Sequence, residues 1–218
     1  FRPQRESTLG AGFGPFAGTY SGNDTENFFI PEFGYNRMIT RDISLGVSVY
    51  GNGGMNTDYK TLNPRTAGAL CGPGGPGCPP APAANGLFGT GNAGVDLMQL
   101  FISPTLGVKV NENHAVGVSL KIAYQRFKAY GLQNFAFPAP MNYSSSPNNV
   151  TNKGYDDSWG YGISLGWTGQ LTPDFSVGIA YQSRTWMQKF SKYKGLFAGQ
   201  GEFDIPENYG IGFAWKAT

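Results

Sequence analysis

One short phrase is written five times in this chain, at Leu45–Tyr50 (LGVSVY), Val116–Lys121 (VGVSLK), Tyr161–Gly166 (YGISLG), Ser176–Tyr181 (SVGIAY) and Tyr209–Trp215 (YGIGFAW). Large apolar residues alternate with Gly, Ser or Ala in every copy. A period of two places successive side chains on opposite faces of a strand. Each copy is therefore a strand with one broad apolar face and one small, polar-leaning face. Sandwiches and barrels both carry such strands, so the question is which face meets water.

Composition bears on that question. Charged residues make up 14% of the 218 residues, aromatic ones 15%, and there are 33 Gly and 15 Pro. Soluble domains carry about 25% charge. Mean hydropathy is nevertheless −0.29, and no run reaches the ~18 apolar residues of a membrane helix. Few charges, many aromatics and no long apolar run fit a transmembrane β-barrel, in which every second residue meets lipid. The formal charge of +2 is spread along the chain, which gives no basic patch for nucleic acid. Phe1–Glu6 lacks the apolar core of an export signal, so the chain is expected to start after any such signal, or as a fragment.

The pattern predicts strands over roughly 28–39, 43–52, 96–110, 115–128, 158–169, 175–187 and 207–216. Thr40–Asp42, Asn111–His114 and Leu171–Asp174 are tight turns. Segments 53–95, 129–157 and 188–206 are long and rich in Gly, Pro, Asn and Ser. Short turns at one end and long loops at the other match short periplasmic and long external connections of outer-membrane barrels. The apolar rows Val116–Tyr124, Trp159–Trp167 and Tyr209–Trp215 begin or end in Trp or Tyr, as in an interfacial girdle. The fold expected is all-β, an antiparallel transmembrane barrel wall of about seven strands. A soluble lipid-binding barrel with these rows in its core is the competing reading, and burying so many Trp and Tyr polar tips weighs against it.

Two strands break the small-residue rule. They send Phe28, Ile30, Leu97 and Phe101 to the face read as lumen. An apolar lining with a few cations suits an amphiphile; packing against a plug would require the same residues. Lys121 and Arg184 fall on lumen-facing phases. Either can pair with a carboxylate, Arg through two hydrogen bonds, or simply be solvated. Lys192 and Lys194 offer the same outside.

Other signals are narrower. Cys71 and Cys78 enclose a Gly/Pro-rich hexapeptide and are read as a local disulfide, which implies an oxidising compartment. A metal site would need further ligands, and the sole histidine, His114, is far along the chain. Gly162–Gly166 matches the G-x-S-x-G pattern, which needs a strand–turn–helix elbow; here it lies inside an alternating strand. No catalytic residues, metal or cofactor are expected.

Gly51–Tyr59 (GNGGMNTDY), Val95–Thr105 (VDLMQLFISPT) and Lys192–Ala198 (KYKGLFA), running into Gly201–Asn208 (GEFDIPEN), are the specific stretches. From about Phe28 to Trp215 the chain resembles the FadL/TodX-type family of outer-membrane transporters for long-chain fatty acids and hydrocarbons. The resemblance implies a 14-stranded barrel plugged by an N-terminal hatch, ligand capture by external loops, and sideways release at a kinked strand. The kink would fall at Gly51, Gly53 and Gly54, since Gly in a strand permits a bulge; the same glycines would equally begin a flexible loop. Leu196, Phe197, Phe203 and Ile205 would form the external capture surface. Residues 1–218 would be part of one barrel domain, with the hatch and last strands lying outside the chain, because an open sheet leaves edges unsatisfied in lipid. Passive transport of a long-chain fatty acid or hydrocarbon is the function implied. The expected surroundings are outer-membrane lipid and lipopolysaccharide. A structural or adhesive barrel with a closed lumen is the alternative.

Overall fold

The computed structural model describes residues 4–12, 17–60, 88–89, 91–136 and 143–216. Cys71 and Cys78 lie outside the described residues. An N-terminal hairpin joins β1 (Glu6–Leu9) to β2 (Gly18–Ser21). The strands β3 (Glu32–Met38), β4 (Ile43–Tyr59), β5 (Ala93–Asn111), β6 (His114–Tyr130), β7 (Asp156–Thr172), β8 (Phe175–Gln182), β9 (Trp186–Met187) and β10 (Asn208–Trp215) follow. They form one antiparallel sheet in the order β10-β8-β7-β6-β5-β4-β3, with β9 also on β7. From β3 to β8 each strand pairs with its neighbour in sequence, which is an up-and-down meander, and β10 then pairs with β8. No described helix is long and apolar enough to cross a membrane.

The tight turns form as their chemistry predicts. The Thr40 hydroxyl accepts from the Asp42 and Ile43 backbone N–H groups. The Asn111 side chain accepts from those of Asn113 and His114, at 2.9 Å each. These Asx- and ST-type bonds close a turn without help from the rest of the fold.

Two expectations about strand limits are corrected. First, β3 begins at Glu32, so Phe28 and Ile30 precede it, while β4 runs through its glycines to Tyr59 rather than ending near residue 52. Its register against β5 shifts between Gly51 and Gly53. Asn52 is thus an extra residue, and the faces exchange. Val47 and Val49 share the outward face with Pro104 and Ile102, whereas beyond the bulge Gly54 and Asn56 do so, opposite Met98 and Asp96. Ile30 lies over Gly51, where an added Cβ would sit 2.6 Å from its Cγ2. Second, the expected strand 175–187 is broken. Ser164 faces Gln182, but Tyr161 faces Trp186, so three steps along β7 match four on the other side. That bulge at Ser183–Arg184 reverses the phase of everything after it.

The two faces of the sheet are unlike. The outward rows of β6, β7 and β10 stay exposed; Ile211 is 80% accessible and Tyr161 65%. Stacked or tilted pairs mark both ends of this band, with Tyr124–Trp159, Tyr161–Trp186 and Tyr181–Tyr209 above and His114–Trp167 and Phe175–Phe213 below. Trp159 to Trp167 spans eight residues, about 27 Å along a strand and about 21 Å across a sheet tilted by ~40°, close to the ~25 Å lipid band of outer-membrane barrels. Buried side chains of the sheet concentrate on the opposite, small-residue face, at the end carrying the long loops.

Candidate functional site

The inner face acquires its bulk where β5 and β6 break the small-residue rule. On β6 the inward row runs Lys121, Ala123, Gln125, Phe127, Ala129, all buried. On β5 it includes Leu97, Phe101 and Ser103, likewise buried. Segment 188–206, expected as a long external loop, folds back over these residues. Phe190 and Tyr193 are fully buried with Leu97, Phe127 and Ala129, and Leu196, Phe197 and Phe203 pack against them. Ile205 and Met187 join Phe101 and Ala123 in an adjoining group, with Tyr50 alongside. The reason is apolar area: a segment carrying seven large apolar side chains between Met187 and Ile205 gains more by covering Leu97 and Phe127 than by staying in water.

Phe127 is the hub. Its ring lies 4.8 Å from that of Phe197, 4.9 Å from Tyr193 and 5.6 Å from Phe190, centroid to centroid. Tilted and edge-on pairs at such distances add to simple burial. Polar bonds fix the segment's path. The Gln125 amide donates to the Phe203 carbonyl at 3.0 Å. The Met187 N–H donates to Asp204 Oδ1 at 2.8 Å, and the Tyr193 hydroxyl to the Gly154 carbonyl at 2.6 Å. Burial raises the Tyr193 phenol above its usual pKa, so it stays a donor. Gly199 and Gln200 take left-handed backbone (φ 62° each) to turn the segment round; for Gln200 this is a strained conformation.

Lys121 sits beneath this cluster, 9% exposed. Its Nζ donates to the Tyr50 hydroxyl at 2.9 Å and lies 5.2 Å and 5.6 Å from the Tyr50 and Phe101 ring centroids. Among the described residues no carboxylate pairs with it. The register on either side, Ile102 with Ile122 and Thr105 with Ser119, sets Ser103 across from Lys121. On the other flank Lys121 faces Gly162, and Thr185 Oγ1 lies over that glycine. Ser103 Oγ and Thr185 Oγ1 are buried without a hydrogen-bond partner among the described residues. Buried hydroxyls are normally satisfied, so the ammonium is flanked by two open polar groups. Further down, the inner face is lined by Gly117, Gly166, Gly178, Gly210 and Gly212 and stays shallow.

The residues singled out from sequence divide as follows. Leu97, Phe101, Leu196, Phe197, Phe203 and Ile205 come together, and Lys121 lies below them. Phe28 and Ile30 stand apart; Phe28 lies under the Arg5 guanidinium at 5.4 Å. Arg184 is a correction. Instead of the lumen row it takes the exposed phase beside Trp186, 59% accessible and 3.9 Å from Asp204, because of the bulge at Ser183. Phe127, Phe190, Tyr193 and Tyr50 escaped sequence reasoning. Phe127 could have been found, as the one large apolar residue on the small face of β6. The bulge at Gly51–Gly53 lies where β3 stops pairing, at Glu32 and Tyr50. Beyond it Arg5 reaches the β4 edge, donating to the Asn56 carbonyl at 2.5 Å. Ser164 of the G-x-S-x-G pattern lies mid-strand and donates to the Tyr181 carbonyl, while His114 stacks on Trp167 at the turn end.

No protein-family profile and no curated protein matches this sequence. Solved structures do. The chain is similar to the toluene transporter TbuX of Ralstonia pickettii, with 18% identity, a TM-score of 0.60, and coverage of 92% of this chain and 54% of that one. It is similar to the toluene transporter TodX of Pseudomonas putida, with 16% identity, a TM-score of 0.62, and coverage of 91% and 54%. A third likeness is to the monoaromatic hydrocarbon channel CymD, at 16% identity and a TM-score of 0.52, over 99% and 53%. The chain thus spans about half the length of the structures it matches. At such identity the likeness is one of fold: this chain has the fold of a TodX-type transmembrane β-barrel wall, the architecture its sequence motifs resemble.

Proposed function

We propose that the full-length protein carries hydrophobic molecules passively across a bacterial outer membrane, and that this chain is about half of a 14-stranded wall. The observation that carries the reading is the aromatic cluster around Phe127 on the inner face, set above a shallow small-residue trough. Leu196, Phe197 and Phe203 stay only partly buried around it, an apolar surface inside the wall that suits a ligand which leaves water readily. A monoaromatic hydrocarbon fits best, since the partly buried Phe197 and Phe203 offer ring faces and edges, and the similar structures are toluene and monoaromatic hydrocarbon channels. Release would occur sideways beside the Gly51–Gly54 bulge, where β4 has lost β3 as a partner.

Lys121 favours a second reading. An ammonium with one hydrogen bond, flanked by open Ser103 and Thr185 hydroxyls, is equipped for the carboxylate of a long-chain fatty acid. The test is uptake of labelled toluene and labelled oleate by cells carrying the full-length gene. Phe197→Ala with Phe203→Ala should reduce uptake of whichever compound is the substrate. Lys121→Met should reduce oleate uptake alone. Wild-type uptake of neither compound refutes transport and favours a barrel closed by its own 188–205 segment.

A further inference from the structure

The outward face changes character just above its upper aromatic pairs. Arg126 and Lys128 continue the outward row of β6 past Tyr124, and Tyr155 stands at the entrance to β7. The Arg126 guanidinium lies 3.9 Å from the Tyr155 ring centroid, and Lys128 Nζ lies 4.7 Å from it. Lys192 Nζ donates to the Tyr155 carbonyl at 2.5 Å. Two cations therefore share one tyrosine ring, and a third, from the segment that covers the inner face, holds its backbone carbonyl.

The carboxylates nearby are occupied by other donors. Asp96 accepts from the Tyr155 hydroxyl at 2.5 Å, Asp157 from the Tyr124 hydroxyl at 2.6 Å, and Asp156 from the Lys192 backbone N–H at 2.8 Å. Among the described residues no carboxylate reaches ion-pair distance of Arg126, Lys128 or Lys192. Arg126 Nε is buried without a hydrogen-bond partner among the described residues. Stacking on a ring holds a cation in place while leaving its N–H groups free. β6 has β5 on one side and β7 on the other, so this cluster is complete without strands beyond the sheet edges.

We propose that Arg126 and Lys128 bind the phosphate of a glycolipid headgroup in the outer leaflet. The inference rests on the membrane placement proposed above. Depth and charge choose the occupant. Arg126 and Lys128 lie two and four residues above Tyr124, roughly 7–14 Å along the strand, at the level where a headgroup meets the lipid band. Arg126 supplies paired donors suited to phosphate oxygens, and Lys128 adds point charge.

The test uses full-length protein in detergent, with diphosphoryl lipid A and its dephosphorylated counterpart compared by native mass spectrometry. The phosphorylated lipid should bind about tenfold more tightly, and Arg126→Gln with Lys128→Gln should abolish that preference. The charge-keeping pair Arg126→Lys with Lys128→Arg should retain it. Folding of each variant is read from the gel-mobility shift on heating. Equal binding of the two lipids, a preference surviving in the double Gln variant, or a loss in the charge-keeping pair overturns the proposal. Displacement of the lipid by millimolar inorganic phosphate also overturns it, since the site would then read free phosphate. Failure of the membrane placement looks different, as protein that buffer extracts without detergent.

Discussion

Phe127→Ala should release segment 188–205 from the wall while leaving the wall intact. Phe127 is 1% exposed, with three aromatic rings within 5.6 Å. Truncating a buried Phe to Ala costs about 3–5 kcal/mol. The lower end applies, because Phe197 and Leu196 are only partly buried and free to collapse into the space. Among the described residues, three of the five aromatic ring pairs made by the segment run through this ring. The loss therefore falls on docking of the segment rather than on the strand ladders. About 3 kcal/mol is roughly a hundredfold in the docking equilibrium. Hydrogen exchange of the full-length protein reads this directly, because sub-global opening limits protection. Amides with partners inside the segment, such as Phe190 N–H on the Gly201 carbonyl, should lose protection by about that factor. Peptides from β6 and β7 should be unchanged. Unchanged protection over 188–205 refutes the claim that the aromatic cluster holds the segment. Equal loss across β6 and β7 refutes the claim that docking is separable from the wall.

Other substitutions probe the remaining parts of the argument. Tyr50→Phe removes the acceptor of the buried Lys121 ammonium's hydrogen bond, and should cost about 1.5–3 kcal/mol in the urea unfolding transition. Ile211→Arg places a charge on the outward face; it should destabilise the barrel by about 2–4 kcal/mol in lipid, and stability unchanged in vesicles would argue against lipid contact there. Tyr155, outside the spanning strands, has its phenol pushed up by burial and by its bond to Asp96. A group whose folded pKa is raised contributes stability below its unfolded pKa, and loses it as pH rises through the folded value. The stability advantage of wild type over Tyr155→Phe should therefore be full at neutral pH and fade above the ordinary tyrosine range, read as urea midpoints across a pH series.

Some of the site was legible in the residues and some was not, for identifiable reasons. Leu97, Phe101 and Lys121 could be placed on the inner face by counting along uninterrupted strands. Arg184 could not, because one extra residue at Ser183 inverts the count, and Ser, Arg and Thr all tolerate a strand or a bulge. Leu196, Phe197, Phe203 and Ile205 were recognisable as apolar loop residues. Nothing local to 188–205 states that it turns inward onto Phe127, since that choice depends on apolar surface supplied by β5 and β6, some sixty or more residues earlier in the chain.

By itself the sequence determined the strands, their two faces and the tight turns at one end, because alternation and turn chemistry act between residues a few positions apart. The five-fold phrase needs no partner to specify a surface that is apolar on one side and small on the other. Only the tertiary structure decided the bulges at Asn52 and Ser183, the inward fold of 188–205, and the nest of Tyr50 and Phe101 around Lys121. Those features arise where one strand must match the hydrogen bonds of another, and where apolar area far apart in the chain becomes adjacent.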